Sequence, residues 1–387
     1  MRIINAFVQT MEGDETYPNG YVAFEHGKIT DAGPMEEIAP RAGDYDARGG
    51  FLMPGMVEAH CQLGLSPEGG LFEQSDTDET TDSVSPQLSA LDGIYPADPA
   101  IGKALRAGVT TAVISPGSAN VLGGRIVAVK TLGRCVDDMV FERNVGMKLS
   151  LGEPVLAPRG TRTKPPVTRM GAAALLRETF AKALVYADKK DAGEDVYDQK
   201  LEALYPVVRG RKPVYARVFA KDDILTFLRV AEEFRIDYVL LHAFGCADIL
   251  DILKEKRARI IAGPLMSWDD RLERKGVSPA IPKLLRENGI AYAISMFSAS
   301  GTLRLPVPVW FNAAHIGAAI REGLPEIDAL RAVTIQAAKL CGIDDRVGSI
   351  RPGKDADLAL YDGKPFDYRT KTVAVWCGGA KAEAAGV

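Results

Sequence analysis

The chain has 387 residues, 47% of them hydrophobic and 25% charged, the balance of a packed globular protein. That composition excludes disorder, collagen-like repetition and a disulfide scaffold. The formal net charge of -4 leaves no basic excess to neutralise phosphates, so nucleic acid is not expected as a partner.

The N-terminal half-hundred residues read as short strands and turns. Arg2 to Val8 is one apolar run, Tyr21 to Glu25 another, and His26-Gly27-Lys28 makes a tight hairpin into Ile29. The C-terminal stretch has the same texture: Leu358-Ala-Leu-Tyr361, a turn at Asp362-Gly363, then Val373-Ala-Val-Trp376. Neither end has enough surface to bury a core alone. Residues 1–50 and 343–387 are therefore expected to join as one small β-domain, a β-sandwich.

Between them, over 51–342, short apolar runs alternate with helical stretches. Strands are predicted at Gly50 to Ala59, Val109 to Ser115, Gly146 to Leu151 and Pro213 to Ala220, then Tyr238 to Ala243, Arg259 to Gly263 and Ala291 to Met296. Helices are predicted at Pro99 to Ala107, Gly171 to Leu184, Asp222 to Phe234 and Ala247 to Lys256, then Ile281 to Asn288, Trp310 to Glu322 and Pro325 to Cys341. Asp222 is the expected N-cap of its helix, with Ile224, Leu225, Leu228 and Ala231 at helical spacing. Repeated strand-then-helix units imply parallel strands, and their number predicts an α/β (β/α)8 TIM barrel. The missing fourth strand is expected between Pro165 and Lys212. A doubly wound sheet is the rival, but no GxGxxG follows any strand.

Five widely spaced cysteines without a CxxC read as buried thiols of a reducing compartment. No run approaches the roughly 18 apolar residues of a membrane span, and the N-terminus is too short an apolar run for a signal peptide. A cytoplasmic protein with no membrane partner is the expectation.

Histidine is the informative count, because there are four: His26, His60, His242 and His315. His60 ends the run Gly50-Phe-Leu-Met-Pro-Gly-Met-Val-Glu-Ala-His60. This run resembles the opening barrel strand of the amidohydrolase superfamily, where an apolar strand ends in a His-X-His metal pair. Ala107-Gly-Val-Thr-Thr-Ala112 looks like its second strand. Asp222-Asp-Ile follows the fifth strand as in the imidazolonepropionase-related group. Thr334-Ile-Gln-Ala-Ala-Lys339 and Gly348-Ser-Ile-Arg-Pro-Gly-Lys-Asp-Ala-Asp-Leu358 look like the final barrel helix and the return to the β-domain.

The resemblance implies metal ligands at the strand ends and an aspartate base on the last strand, activating a metal-bound water. The second first-strand ligand position holds Gln62, a poor substitute for imidazole. Cys61 between them is expected to face away. The fifth-strand ligand position, six residues before Asp223, holds Arg217, which has no lone pair to offer a cation. His242 is retained on the sixth strand and Glu153 after the third. The last-strand aspartate should fall near Met296, Phe297 or Ser298, yet Ala291 to Leu324 holds no carboxylate except Glu322, in a helix.

The pocket is therefore expected from His60, Gln62, Glu153, Arg217, His242 and Phe297, with no confident catalytic residue and no metal or other cofactor. Arg217 is expected to pair with Glu153 in the cation's place. The alternative is a hydrolase of C–N bonds in cyclic or acyl amides, with one divalent metal such as zinc on His60, Glu153 and His242. An acidic loop (Glu73, Asp76, Asp78, Glu79, Asp82) and the glycine-rich Pro116 to Gly124 are expected at the same mouth. Arg162, Lys164 and Arg169 make a basic segment read as solvated or as meeting an acidic ligand or neighbouring subunit. His26 and His315 are read as peripheral. Expected partners are a small-molecule ligand and either further copies in a homo-oligomer or an active paralogue in a hetero-oligomer.

Overall fold

A computed structural model describes residues 1–68, 75–156, 166–266, 272–296 and 311–382. Both chain ends build one open sheet. Its N-terminal strands are β1 (Arg2–Gln9), β2 (Thr16–Glu25), β3 (Lys28–Pro34), β4 (Tyr45–Asp46) and β5 (Phe51–Pro54). The barrel strands follow: β6 (Met56–Cys61), β7 (Val109–Ile114), β8 (Leu122–Lys130), β9 (Val140–Ser150) and β10 (Val214–Val218). Then come β11 (Tyr238–His242), β12 (Arg259–Ala262) and β13 (Ala291–Ile294). The chain returns to the first sheet with β14 (Leu358–Tyr361), β15 (Thr372–Cys377) and β16 (Ala380–Lys381). That sheet runs β16-β15-β14-β5-β1-β2-β3, with β4 on β1, so strands from opposite chain ends meet where β14 pairs with β5.

The second sheet is the nearly closed barrel, ordered β13-β12-β11-β10-β9-β8-β7-β6. Its eighth strand is not where the sequence pattern looked for it. Residues 166–213 hold the helices Arg169–Asp191 and Gln199–Val208 and no strand. The missing strand is β8, which runs antiparallel to both β7 and β9. A hairpin needs no crossover helix, so β8 leaves no strand–helix signature to count.

The apolar run Gly50 to Ala59, expected as one strand, divides at Gly55 between the two sheets. A side chain there would strike Thr110, whose Oγ1 lies 2.1 Å from the Cβ position. The expected helix Pro325 to Cys341 also divides, into Glu326–Ala332 and Ile335–Leu340. The break lets the Val333 carbonyl accept from Val57 N–H at 2.8 Å, filling the seam beside β6. Helix Ile335–Leu340 then packs Ala337, Ala338 and Leu340 with the interior residues Val57, Ala59, Tyr215, Val239 and Leu241, closing the barrel below its mouth. Asp222 does not cap its helix: the N-cap is Ala220, and Asp222 sits in the first turn, where a carboxylate still suits the helix dipole. Four cysteines are buried as expected, but Cys135 is exposed.

Glu58 completes the barrel seam. Its carboxyl accepts from Ser295 Oγ at 2.6 Å, Met296 N–H at 2.8 Å and His60 N–H at 3.1 Å. Total burial pushes its pKa up to about 7 against the pull of those donors.

Candidate functional site

The strand ends bring His60, Arg217 and His242 together. His60 and His242 are buried, with ring centroids 5.2 Å apart in an edge-to-face arrangement. His242 and Ala243 adopt positive φ of 70° and 46°, uncommon for residues with a Cβ, and this turns the chain sharply at the end of β11. His242 Nδ1 meets the Gly263 carbonyl, which fixes Nε2 as the acceptor nitrogen of the neutral ring. Phe219 lies edge-on to His242 at 4.9 Å, and the Arg217 guanidinium covers the Phe219 ring at 3.3 Å.

Arg217 is 6% exposed, so it does not reach out to solvent. Its carboxylate partner is Glu273, 3.4 Å away, not the expected Glu153. Glu153 is exposed; its backbone N–H donates to Glu273, and its carboxylate acts on Arg169, not on Arg217. The reason is local backbone geometry. Gly152 has φ of 91°, and a Cβ there would sit 2.7 Å from Glu273 Oε1 and 2.8 Å from Asp223 Oδ2. Glycine thus admits those carboxylates to the space while the chain carries Glu153 past it. Arg169 closes the network from outside, donating to Asp223 at 2.9 Å and to Glu273 at 3.1 Å. Arg169 is therefore an anchor rather than a merely solvated charge; Arg162 and Lys164 lie outside the described residues.

Lys148 is the group the sequence reading missed. It stands on β9 opposite Tyr215, is fully buried, and its Nζ has no hydrogen-bond partner among the described residues. Burial first, and the charge of Arg217 next, lower its pKa to about 7. The Ser150 hydroxyl, two residues along the same strand, is equally buried and likewise has no hydrogen-bond partner among the described residues. The signal was present: one lysine in the apolar run Val145-Gly-Met-Lys-Leu-Ser150. Burial, then Lys148, keep both His60 and His242 well below the usual histidine range, and both imidazoles are neutral. Burial likewise lowers Arg217 to about 10, against the pull of Glu273.

Gln62 is buried just beyond β6, Met296 is buried after β13, and Phe297 lies outside the described residues. The acidic loop docks on the glycine-rich loop: Asp78 accepts from Ala119 N–H at 2.7 Å, and Asn120 Nδ2 donates to the Glu79 and Asp82 carbonyls at 2.6 Å each. Glu73 is outside the described residues. His26 lies at the exposed β2–β3 turn and His315 is buried in the helix Asn312–Arg321.

These residues do not fit a metal ion. Among the described residues, no three or more histidine, cysteine, aspartate or glutamate side chains are grouped to hold one. Two basic side chains, Lys148 and Arg217, stand beside the imidazole pair and would repel a cation.

The architecture is that of an amidohydrolase, and the comparisons agree. The amidohydrolase family model matches residues 217–382. The crystal structure of an amidohydrolase from Thermotoga maritima MSB8 has 35% sequence identity and a TM-score of 0.92, covering 99% of both chains. The amidohydrolase tasK of Hapsidospora irregularis is 30% identical over 93% of this chain, which spans 39% of that protein's length. An imidazolonepropionase of Sphingopyxis alaskensis is 25% identical, over 95% of this chain and 93% of its own. This chain belongs to the amidohydrolase family. Within it, the chain is a member with a degenerate metal site.

Proposed function

We propose that this chain, a member of the imidazolonepropionase-related group, no longer hydrolyses C–N bonds and holds a small molecule at the barrel mouth. The observation that supports this reading is the pair of buried basic groups, Lys148 and Arg217, beside His60 and His242. The last strand offers no general base either: Ser295 and Met296 stand there, and their polar groups are committed to Glu58. Elemental analysis of the purified chain, with assays on cyclic and acyl amides, tests the reading. Substoichiometric zinc, iron and manganese with no turnover is the expected result. A stoichiometric metal bound through His242 overturns it.

The second reading is a metal-dependent hydrolase of C–N bonds with a single ion on His60, Glu153 and His242. In its favour, both imidazoles are neutral, the form that binds metal, and their rings are 5.2 Å apart. Against it, Glu153 is exposed. A further part of the proposal is a cytoplasmic subunit role, as a homo-oligomer or beside an active paralogue. Co-purification with a homologous chain that keeps both first-strand histidines is its test.

A further inference from the structure

Among the described residues, one buried basic group at the barrel mouth has no contact partner. Arg217 is matched by Glu273 at 3.4 Å and Arg169 by Asp223 at 2.9 Å. Lys148 has no matching partner: its ammonium makes no ion pair or hydrogen bond among the described residues. Asp78 acts on it only at longer range, its two oxygens being held by Ala119 N–H and the Thr77 hydroxyl. An unpartnered ammonium in a protein interior is costly, and so is an unpartnered hydroxyl. Here both project from one strand at positions 148 and 150, the spacing that puts side chains on one face. Arg217 stands opposite Ser150 on the neighbouring strand. Among the described residues it uses Nη1 alone, on Leu151 and Glu273, of a guanidinium that carries five N–H groups.

We propose that Lys148, Ser150 and Arg217 form a subsite for the carboxylate of a small organic acid. This rests on the reading of the mouth as a ligand site and adds the class of ligand. The single ammonium without a contact partner selects the class. One such cation is suited to one negative charge, which a carboxylate supplies; a phosphate dianion would bring a second negative charge into the buried site. Neutral ligands would leave the ammonium unpaired. A carboxylate also has two oxygens, enough to accept from the ammonium and the hydroxyl together while facing the guanidinium.

The test is calorimetric titration and thermal unfolding of the full chain with butyrate and benzoate, their neutral amides, and inorganic phosphate. Wild type is compared with Lys148→Met and Ser150→Ala. Lys148→Met removes an unpaired buried charge and keeps all but the terminal atom's length of an unbranched side chain, so it is expected to fold. The acids are expected to bind and raise the melting temperature, with the amides at least about tenfold weaker, as for a charge-assisted contact. Lys148→Met should weaken the acids by about tenfold or more, and Ser150→Ala by about threefold to tenfold. The inference is overturned if no acid raises the melting temperature, if amides match acids, if phosphate binds more tightly than the acids, or if Lys148→Met binds acids undiminished. Acids and amides that bind equally well, in wild type and in Lys148→Met alike, would sink this inference and leave the ligand-binding reading standing. Stoichiometric metal would sink that reading itself.

Discussion

Two buried clusters of charge lie at opposite ends of the barrel, and they are finished to different degrees. Where the barrel meets the open sheet, Asp355 and Asp357 are fully matched. Asp355 receives Lys28 at 2.6 Å, Arg346 at 2.8 Å and Lys130 at 2.9 Å, while Asp357 receives Lys130 at 2.5 Å and Gly378 N–H at 2.7 Å. At the mouth, Lys148 Nζ, Ser150 Oγ and Asp223 Oδ2 are buried without hydrogen-bond partners among the described residues. Both clusters cost desolvation, and among the described residues the first recovers it more fully. The junction cluster is thus complete as architecture. The mouth cluster is stable only because the rest of the fold carries it, and it is where added chemistry has most to offer.

Breaking the matched cluster is expected to have the largest effect. Lys130→Met strands Asp357 with a buried charge and should cost about 3 kcal/mol, read by denaturant unfolding. At the mouth, Glu273→Gln removes the carboxylate shared by Arg217 and Arg169. The longer 3.4 Å contact to Arg217 makes a smaller loss appropriate, about 2 kcal/mol in the same measurement.

Lys148→Met should reverse the sign. It relieves an unpaired charge and is expected to stabilise the chain by about 1–2 kcal/mol at neutral pH. The pH dependence sharpens this. Lys148 titrates near 7 when folded and near its ordinary 10.5 when unfolded, so between these values the unfolded chain binds more protons. Stability should therefore rise from about pH 7 to 10.5 as the penalty fades, and Lys148→Met should lack that rise. Among the described residues, His60, His242, Arg217 and Asp78 are the charged or titratable groups that act on or are acted on by Lys148.

Asp355 behaves in the opposite sense. Burial raises its carboxyl, but Arg346, Lys130 and Lys28 outweigh that and hold it at about 2, below the usual 3.8. Its contribution is present above 3.8 and is lost as pH falls through about 2, which acid unfolding of wild type against Asp355→Asn will show. The smallest effect is expected for Arg346→Ala. That side chain is 39% exposed and shares Asp355 with two lysines, so about 0.5–1 kcal/mol is the expected loss.

The legible parts of the site were those written as departures from a pattern. Gln62 after His60, Arg217 in the fifth strand and a last strand without carboxylate could be read because each replaces an expected side chain at a fixed position. Glu273 could not be read, because it arrives on a short helical turn more than fifty residues beyond Arg217 and no strand register places it. Lys148 was visible as a lone charge in an apolar strand, but its isolation depends on what surrounds it in space. Glu58 carries no local sequence sign of its role, because the partners that make it the link between the first strand and the last lie more than two hundred residues away.

By itself the sequence determined the family, the alternation of strands and helices and the joining of the two chain ends. These follow from apolar periodicity and from local motifs such as Lys354-Asp-Ala-Asp357, whose carboxylates join the two sheets. It also determined that the metal ligands are depleted, since a guanidinium cannot bind a cation wherever it sits. Only the tertiary structure decided where the eighth strand lies, which carboxylate meets Arg217, and that a lysine is left unmatched. Pairing and burial depend on distances between residues far apart in the chain, and a one-dimensional pattern carries no such distances.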